Sequence, residues 1–574
     1  MSSDYLGSTF RDRPGLRRAV VLVAALVSLA LIALGGSLLH AESAVPSAHR
    51  SAVVGRTSTV CTVPTGDTAA TPGPPASTPA ETPLPGTTPL PAETPTETPL
   101  PLPTPATPAE TPLPGTTPAP GTTPLPGTTP LPTPLPTATP TATATATPTV
   151  GGEAPPSTVS AVAVRQGSTE SGTLTGSGLG ADQAQLRLTE LGTGQQLTEV
   201  DAPLVLTGEG SMATAGSGVV SSTSTEGETT GLMAAPCLVP GTDQWLVGVG
   251  STDADRTELI LANPDNAQAE VDLRFYGPTG RLVVPGSPGV VIGAHETRTL
   301  LVSSLIDSPG PTAVAVRASE GRVSAAARRL RTDDLKPAGA DWQVPSVAPT
   351  TSSVIPGVPG GDGPRVLAVV NPGTQRATVQ VGVLGLSGVF APAGADTLEV
   401  APESTATVEL TAGLAGESGS IRLRSDEPVS GAVVSTSTRS DAVSDFAVQS
   451  SQPALVRQGV SALATSTGSV DSEVVLSNGG EADAPITFEV FSYTGVSLRK
   501  DDILLPAGST ATRRLTSAGP SYVVVSVPAD SSVVGSVTLT QPDGDVAGLA
   551  TVPLTSPDVA SRAARVREDP AVGR

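Results

Sequence analysis

Three segments of this chain align without a gap: LANPDNAQAEVDLRFYGPTG from residue 261, VVNPGTQRATVQVGVLGLSG from residue 369 and LSNGGEADAPITFEVFSYTG from residue 476. Asn263, Asn371 and Asn478 open them, and each is followed 17 residues later by a glycine, Gly280, Gly388 or Gly495, so the period is 108 and then 107 residues. A period of that size is the size of a domain. Asn-Pro-Asp, Asn-Pro-Gly and Asn-Gly-Gly are turn sequences: Asn bonds its own backbone, Pro presets φ, and Gly accepts positive φ. Beyond the turn the residues alternate. Ala269, Val271, Leu273 and Phe275 fall on one face and Glu270, Asp272, Arg274 and Tyr276 on the other. Ala377, Val379, Val381 and Val383, then Ala484, Ile486, Phe488 and Val490, repeat the apolar face. Period two with one apolar face is a half-buried antiparallel strand. The six Asn and Gly positions are therefore structural turn positions, not a site.

The repeat runs on past the closing glycine. VVIGAHETRTLL, LEVAPESTATVEL and ILLPAGSTATRRL form a second aligned set, and VAVRASEGRVSAAARRL, IRLRSDEPVSGAVVSTST and VVVSVPADSSVVGSVTLT a third. With a leading strand from QWLVGVG, VIPGV or GVSAL, each unit holds about seven strands in roughly 100 residues. That is the size and turn spacing of an immunoglobulin-like sandwich, without the Cys-Trp-Cys signature of antibody domains. Only 2% of residues are aromatic, so the cores must be built from Val, Leu, Ile and Ala. Such cores suit small sandwiches better than a large enzyme fold with a deep pocket. The fold class expected is all-β, with β-sandwich modules at 237–341, 342–448 and 449–556. Residues 151–236 read as a divergent or partial module, because LTGEGSMATAGSGVVSSTST resembles the ends of the later ones. Its missing strands are sought in SAVVGRTSTVC, within the juxtamembrane segment 40–67.

The N-terminus sets topology. Arg11, Arg13, Arg17 and Arg18 precede an uncharged apolar run over residues 19–39, and Glu42 comes after it. At 1.5 Å per residue the run reaches roughly 31 Å, enough to span a bilayer. The flanking charges place residues 1–18 in the cytoplasm and the rest outside. The competing reading is a cleaved signal peptide and a secreted product.

Residues 68–150 are Pro/Thr-rich: over 71–150 there are 26 Pro and 25 Thr, with no Lys, Arg or aromatic residue. Proline removes donors and nothing here can be buried, so an extended, disordered linker open to O-glycosylation is expected. The two cysteines, Cys61 in CTVPTGD and Cys237 in CLVPGTD, have matching surroundings and lie on the exported side, where a disulfide persists. The alternatives are a pair or two unrelated buried thiols. Pairing would tie the ends of the linker together instead of leaving it as a stalk. Residues 557–574 read as a tail.

An apolar anchor, two Cys-x-x-Pro-like sites, DQWLVGVG before LANPDNAQAEVDL, then VIPGV, VVNPG and SDFAV, resemble an actinobacterial family of membrane-anchored extracytoplasmic proteins known only as a domain of unknown function. The resemblance implies a cell-envelope setting and no activity.

Chemistry is scarce. The formal net charge is −21, which argues against nucleic acid, since phosphate binding needs Lys and Arg. Of three histidines only His295 lies beyond residue 50, in a turn aligned with Glu403 and Gly508 that reads as tolerant of any residue. No Ser-His-Asp triad or His-rich zinc site can be assembled from that inventory, so no catalytic, metal or cofactor residues are expected. Carboxylates are numerous, but the aromatic platforms that accompany glycoside chemistry are missing. Trp245 and Trp342 read as core or junction residues. The expected function is a non-catalytic structural or protein-interaction role in the envelope, the alternative being a protein that binds wall polymer or glycan.

Overall fold

The repeated turn and strand belong to an eight-strand plan that the chain builds four times. The computed structural model describes residues 55–63, 155–165, 171–361, 363–463, 470–515 and 519–557, all within one compact unit. The segments 1–18 and 19–39, the Pro/Thr segment 68–150 and the tail from residue 558 lie outside the described residues. Among the described residues no helix is long and apolar enough to cross a membrane.

The first module comprises β1 (Arg56–Cys61), β2 (Ser157–Ala163), β3 (Gly172–Gly178), β4 (Ala184–Leu188), β5 (Thr193–Val200), β6 (Leu204–Gly210), β7 (Gly216–Ser224) and β8 (Gly231–Pro236). The second runs through β9 (Asp243–Val249), β10 (Asp255–Ala262), β11 (Ala269–Gly277), β12 (Gly280–Leu282), β13 (Val290–Ile292), β14 (Thr297–Leu301), β15 (Thr312–Glu320), β16 (Ser324–Asp333) and β17 (Lys336–Gln343). The third has β18 (Thr350–Val358), β19 (Arg365–Asn371), β20 (Ala377–Gly385), β21 (Gly388–Phe390), β22 (Thr397–Val400), β23 (Ser404–Glu409), β24 (Gly419–Ser437) and β25 (Asp445–Ser450). The fourth has β26 (Gln458–Ala462), β27 (Asp471–Asn478), β28 (Ala484–Ser492), β29 (Ser497–Leu505), β30 (Thr510–Leu515), β31 (Ser521–Ser526), β32 (Val533–Thr540) and β33 (Leu549–Pro553).

Every module pairs its strands in one pattern. The first has sheets ordered β1-β6-β3-β4 and β5-β2-β7-β8, the second β9-β15-β11-β12 and β14-β10-β16-β17, the fourth β26-β31-β28-β29 and β30-β27-β32-β33. In the third, the long β24 serves as sixth and seventh strand at once, pairing β20 through Val379–Leu384 and β19 through Arg365–Val370. Side chains of both sheets meet between them, as Leu246, Phe275 and Val314 of one sheet meet Leu259, Leu300 and Ala325 of the other in the second module. Burying each such Val, Leu or Phe contributes roughly 1.5–3 kcal/mol.

Two expectations change. An immunoglobulin order sets the first strand beside the second and the seventh beside the sixth; here β1 pairs β6 and β7 pairs β2, so first and seventh strands have exchanged sheets. The boundaries at 341/342 and 448/449 fall inside β17 and β25, which pair with β16 and β24 and so close the second and third modules. Alignment of the repeats does not reveal this, because those last strands carry no turn signature of their own. The first module has all eight strands once β1 is counted, with residues 62–156 as a single insertion between its first and second strands. The corresponding connections elsewhere are short, at 250–254, 359–364 and 463–470.

The modules close a cycle. β8 packs on β17, β17 on β25, β25 on β33, and β33 returns to β8. The fourth module thus shares one apolar cluster with the first, in which Val162, Val219 and Leu232 join Leu455, Val460 and Leu554.

Candidate functional site

The repeated asparagines are buried clamps. Asn263 accepts from the Asp265 amide at 3.0 Å through Oδ1, while Nδ2 donates to Ala267 O at 2.7 Å, Gly293 O at 2.9 Å and Ile292 O at 3.2 Å. Asn371 makes the same set with Gly373 at 2.9 Å and with Gln375 at 2.7 Å, Val400 at 3.2 Å and Ala401 at 3.2 Å. Asn478 bonds Gly480 at 3.0 Å, Ala482 at 2.8 Å and Leu505 at 3.2 Å. The local turn accounts for the Oδ1 bond; Nδ2 also ties the turn to the strand some thirty residues on. In the first module the register places Val164 at this position. Gly280, Gly388 and Gly495 have φ of +131°, +125° and +81°, which L side chains avoid.

Cys61 and Cys237 form a disulfide across 176 residues. It sits beside a two-way backbone bridge, Val60 N to Leu238 O and Leu238 N to Val60 O, both 2.8 Å. The other modules make the same single bridge between first strand and module end, at Trp245–Ser346, Val354–Gln452 and Val460–Thr555, without cysteine.

Where the four last strands converge lies Asp445, fully buried in β25. Its Oδ2 accepts from Leu232 of β8 at 2.8 Å and Leu549 of β33 at 3.0 Å; its Oδ1 accepts from Phe446 at 2.9 Å and Ala340 of β17 at 3.3 Å. One carboxylate therefore bonds backbone of all four modules. Burial pushes its pKa up to about 8, against the four amides, each of which favours the ionised form. Asp341 in β17 is also fully buried; burial raises it well above the usual carboxylate range, opposed by amides that include Val448 N at 2.9 Å. Gly339, φ +115°, leaves room for this arrangement, since a Cβ there would lie 2.7 Å from Asp445 Oδ1. Neither aspartate is among the residues that the sequence singles out. In the sequence each stands beside an aromatic residue, in ADWQ and in SDFAV, the latter one of the stretches that carry the family resemblance.

Turns of one module seat on strand starts of the next. Thr405 Oγ1 donates to Tyr276 O at 2.8 Å, and the equivalent Thr510 Oγ1 to Leu384 O at 2.6 Å. Between fourth and first modules, Gly194 N donates to Tyr493 O at 3.0 Å and Tyr522 Oη to Gly192 O at 2.9 Å. Between first and second, Gly180 approaches His295 so closely that a Cβ would stand 3.0 Å from the His Cβ. Tyr276, placed on the solvent face by alternation, is buried because the third module covers that end of β11; it stacks on Trp245 at 5.7 Å. Trp342 is buried among Met233, Ile260 and Leu330, where first and second modules meet.

His295 has φ +56°, Glu403 +50° and Gly508 +67°. The turn that reads as tolerant requires a left-handed residue in all three modules. His295 Nε2 lies 2.7 Å from Asn266 Oδ1 on the surface.

Two shallow depressions lie on outer sheet faces, one lined by Pro485, Thr487, Asp502 and Leu504, the other by Phe390, Asp396, Arg422 and Arg424. Neither contains Asp341 or Asp445. Among the described residues no cluster of three His, Cys, Asp or Glu side chains could hold a metal ion.

Comparison with known proteins adds a family. No curated protein matches the chain. A solved structure described as Bacteroides Uniformis beta-glucuronidase is similar at 12% identity, with a TM-score of 0.10, over 36% of this chain and 26% of that one. This chain thus spans about a quarter of that enzyme, and the likeness is too slight to transfer fold or activity. A family of unknown function, DUF5719, matches residues 193–472, from β5 of the first module to the start of β27 in the fourth. That stretch, which includes the whole second and third modules, is similar to a family of unknown function, in line with the resemblance drawn from DQWLVGVG and VVNPG.

Proposed function

We propose that this chain is a non-catalytic protein of the bacterial cell envelope, anchored through residues 19–39, with residues beyond 40 outside the membrane and a structural or protein-interaction role. The observation that carries the reading is Asp445. A carboxylate enclosed by the backbone of four modules holds those modules together and has no opening toward a substrate. The unknown-function family over 193–472 and the all-β architecture support it. A closed set of modules keeps its outer loops and edges at fixed spacing, which suits presentation of a surface to an envelope partner.

The depression beside Phe390, Arg422 and Arg424 favours a second reading, a protein that binds cell-wall polymer or glycan. The full-length protein would be incubated with purified, protein-free wall polymer and with envelope extract. Capture of a defined envelope protein with no retention on polymer supports the first reading. Retention on polymer that is lost in Phe390→Ala replaces it with the second. Protease shaving of intact cells tests the anchor: protection of the modules would overturn the outside placement.

A further inference from the structure

The copies differ at the fourth strand of the module. In the second module that edge is broken into β12 and β13, with Pro285 and Pro288 between them, and in the third into β21 and β22, with Pro392 between. Proline and short edge strands block the addition of a further strand. The fourth module has none of this. Its β29 is one strand of nine residues, SLRKDDILL, without Pro or Gly, and it ends the sheet β26-β31-β28-β29. Among the described residues its outer backbone edge pairs with nothing.

The side chains on this edge are self-complementary. Lys500, Asp502 and Leu504 lie opposite Glu489, Thr487 and Pro485, on the outward face, and all three are exposed. Leu498, one step earlier at a bulge in the ladder, is 53% exposed and Leu504 63%. Every second residue therefore reads Leu, Lys, Asp, Leu. Two such strands related by a twofold axis normal to the sheet run antiparallel and keep the same face outward, so a residue can meet only residues of its own parity. With the axis through Asp501, Lys500 meets Asp502 of the other copy and Leu498 meets Leu504, and each pairing occurs twice. Asp501, which meets its own mate on the axis, is already neutralised by Arg499, 2.6 Å away, and by Arg513 at 3.7 Å.

We propose that β29 is a homodimerisation edge, at which a second copy of this chain adds its own β29 antiparallel in the register centred on Asp501, making one continuous sheet of the two fourth modules. Backbone hydrogen bonds hold the strands together, and the Leu-Lys-Asp-Leu order sets the register.

The test uses the full-length chain in detergent, with mass read by light scattering. The wild type should run as a dimer. Lys500→Asp and Asp502→Lys each set like charges opposite one another twice per dimer and should weaken self-association at least tenfold. The double exchange K500D/D502K restores complementarity and should restore the dimer, which separates loss of the interface from loss of the fold. Because the two native cysteines are bonded to each other, an introduced thiol reports alone. Leu498→Cys mixed with Leu504→Cys should give an oxidised cross-linked dimer that neither variant gives by itself. A wild type that stays monomeric up to about 100 μM overturns the proposal, since the edge is then free or occupied by something else. So does a dimer indifferent to both single substitutions, or a double exchange that fails to restore it.

Discussion

The first strand of the first module should depend on its disulfide in a way that no other strand does. In the later modules, connections of about six residues tether the first strand to the second. In the first, about 95 residues intervene between Cys61 and Ser157. Loop closure scales as (3/2)RT ln n, so holding β1 in place costs about 2.5 kcal/mol more than holding β9 or β18. The bond across 176 residues offsets this: the chain-entropy relation credits it with about 5 kcal/mol, and native bridges removed from small domains typically cost about 2–5. In Cys61→Ser/Cys237→Ser, β1 keeps its six-residue ladder with β6 and the Val60–Leu238 bridge but loses that constraint. Hydrogen exchange of the β1 amides should accelerate by roughly 30- to 5,000-fold, the range that 2–5 kcal/mol converts to. Exchange in β19 and β27, in modules without the bond, should change far less. Shortening residues 62–156 to about six in the same variant should recover about 2.5 kcal/mol. Unchanged protection of β1 in the thiol-free protein would contradict this account, as would equal loss of protection throughout the modules.

Asn371→Ala leaves the Gly373 amide and three carbonyls without their partner and should cost about 3 kcal/mol in urea unfolding. Asn371→Asp, which keeps the acceptor but faces those carbonyls with a charge, should cost at least as much; a milder effect of Asp would show that the Nδ2 bonds carry little. Glu403→Gly relieves a left-handed residue and should stabilise the third module by about 1 kcal/mol, read as a raised Tm, whereas no gain would mean that the strain is absorbed elsewhere. Stability should fall as pH rises from about 4 to about 8. Asp445, with a folded pKa of about 8 against 3.8 for the free side chain, holds its proton in the native state after the unfolded chain has released it, and Asp341 acts in the same direction. The slope in denaturant midpoint at fixed ionic strength should shrink in Asp445→Asn. A slope of opposite sign would show that the four amides outweigh burial.

Local patterning made the strands legible. Alternation placed Ala269, Val271, Leu273 and Phe275 on a buried face, and a 17-residue spacing located the turn at Asn263 and the glycine at 280, because a strand's period and a turn's φ are set by neighbouring residues. Features that depend on residues far apart in the chain lay beyond the same reasoning. Tyr276 is polar-face by alternation and buried by the third module. His295 and Glu403 sit in a turn whose handedness no residue type announces. Asp341 and Asp445 look like strand residues out of place, until four modules bring Leu232, Ala340, Phe446 and Leu549 around one carboxylate.

The all-β class and the period of the modules are thus properties of the amino-acid order, since each comes from composition or from spacing along the chain. Two others belong to the folded molecule: first and seventh strands exchange sheets, and the fourth module returns to the first. Those are matters of which edge meets which. Strands of similar length and apolarity can pair in many orders, and the choice among them is made by the packing of whole sheets.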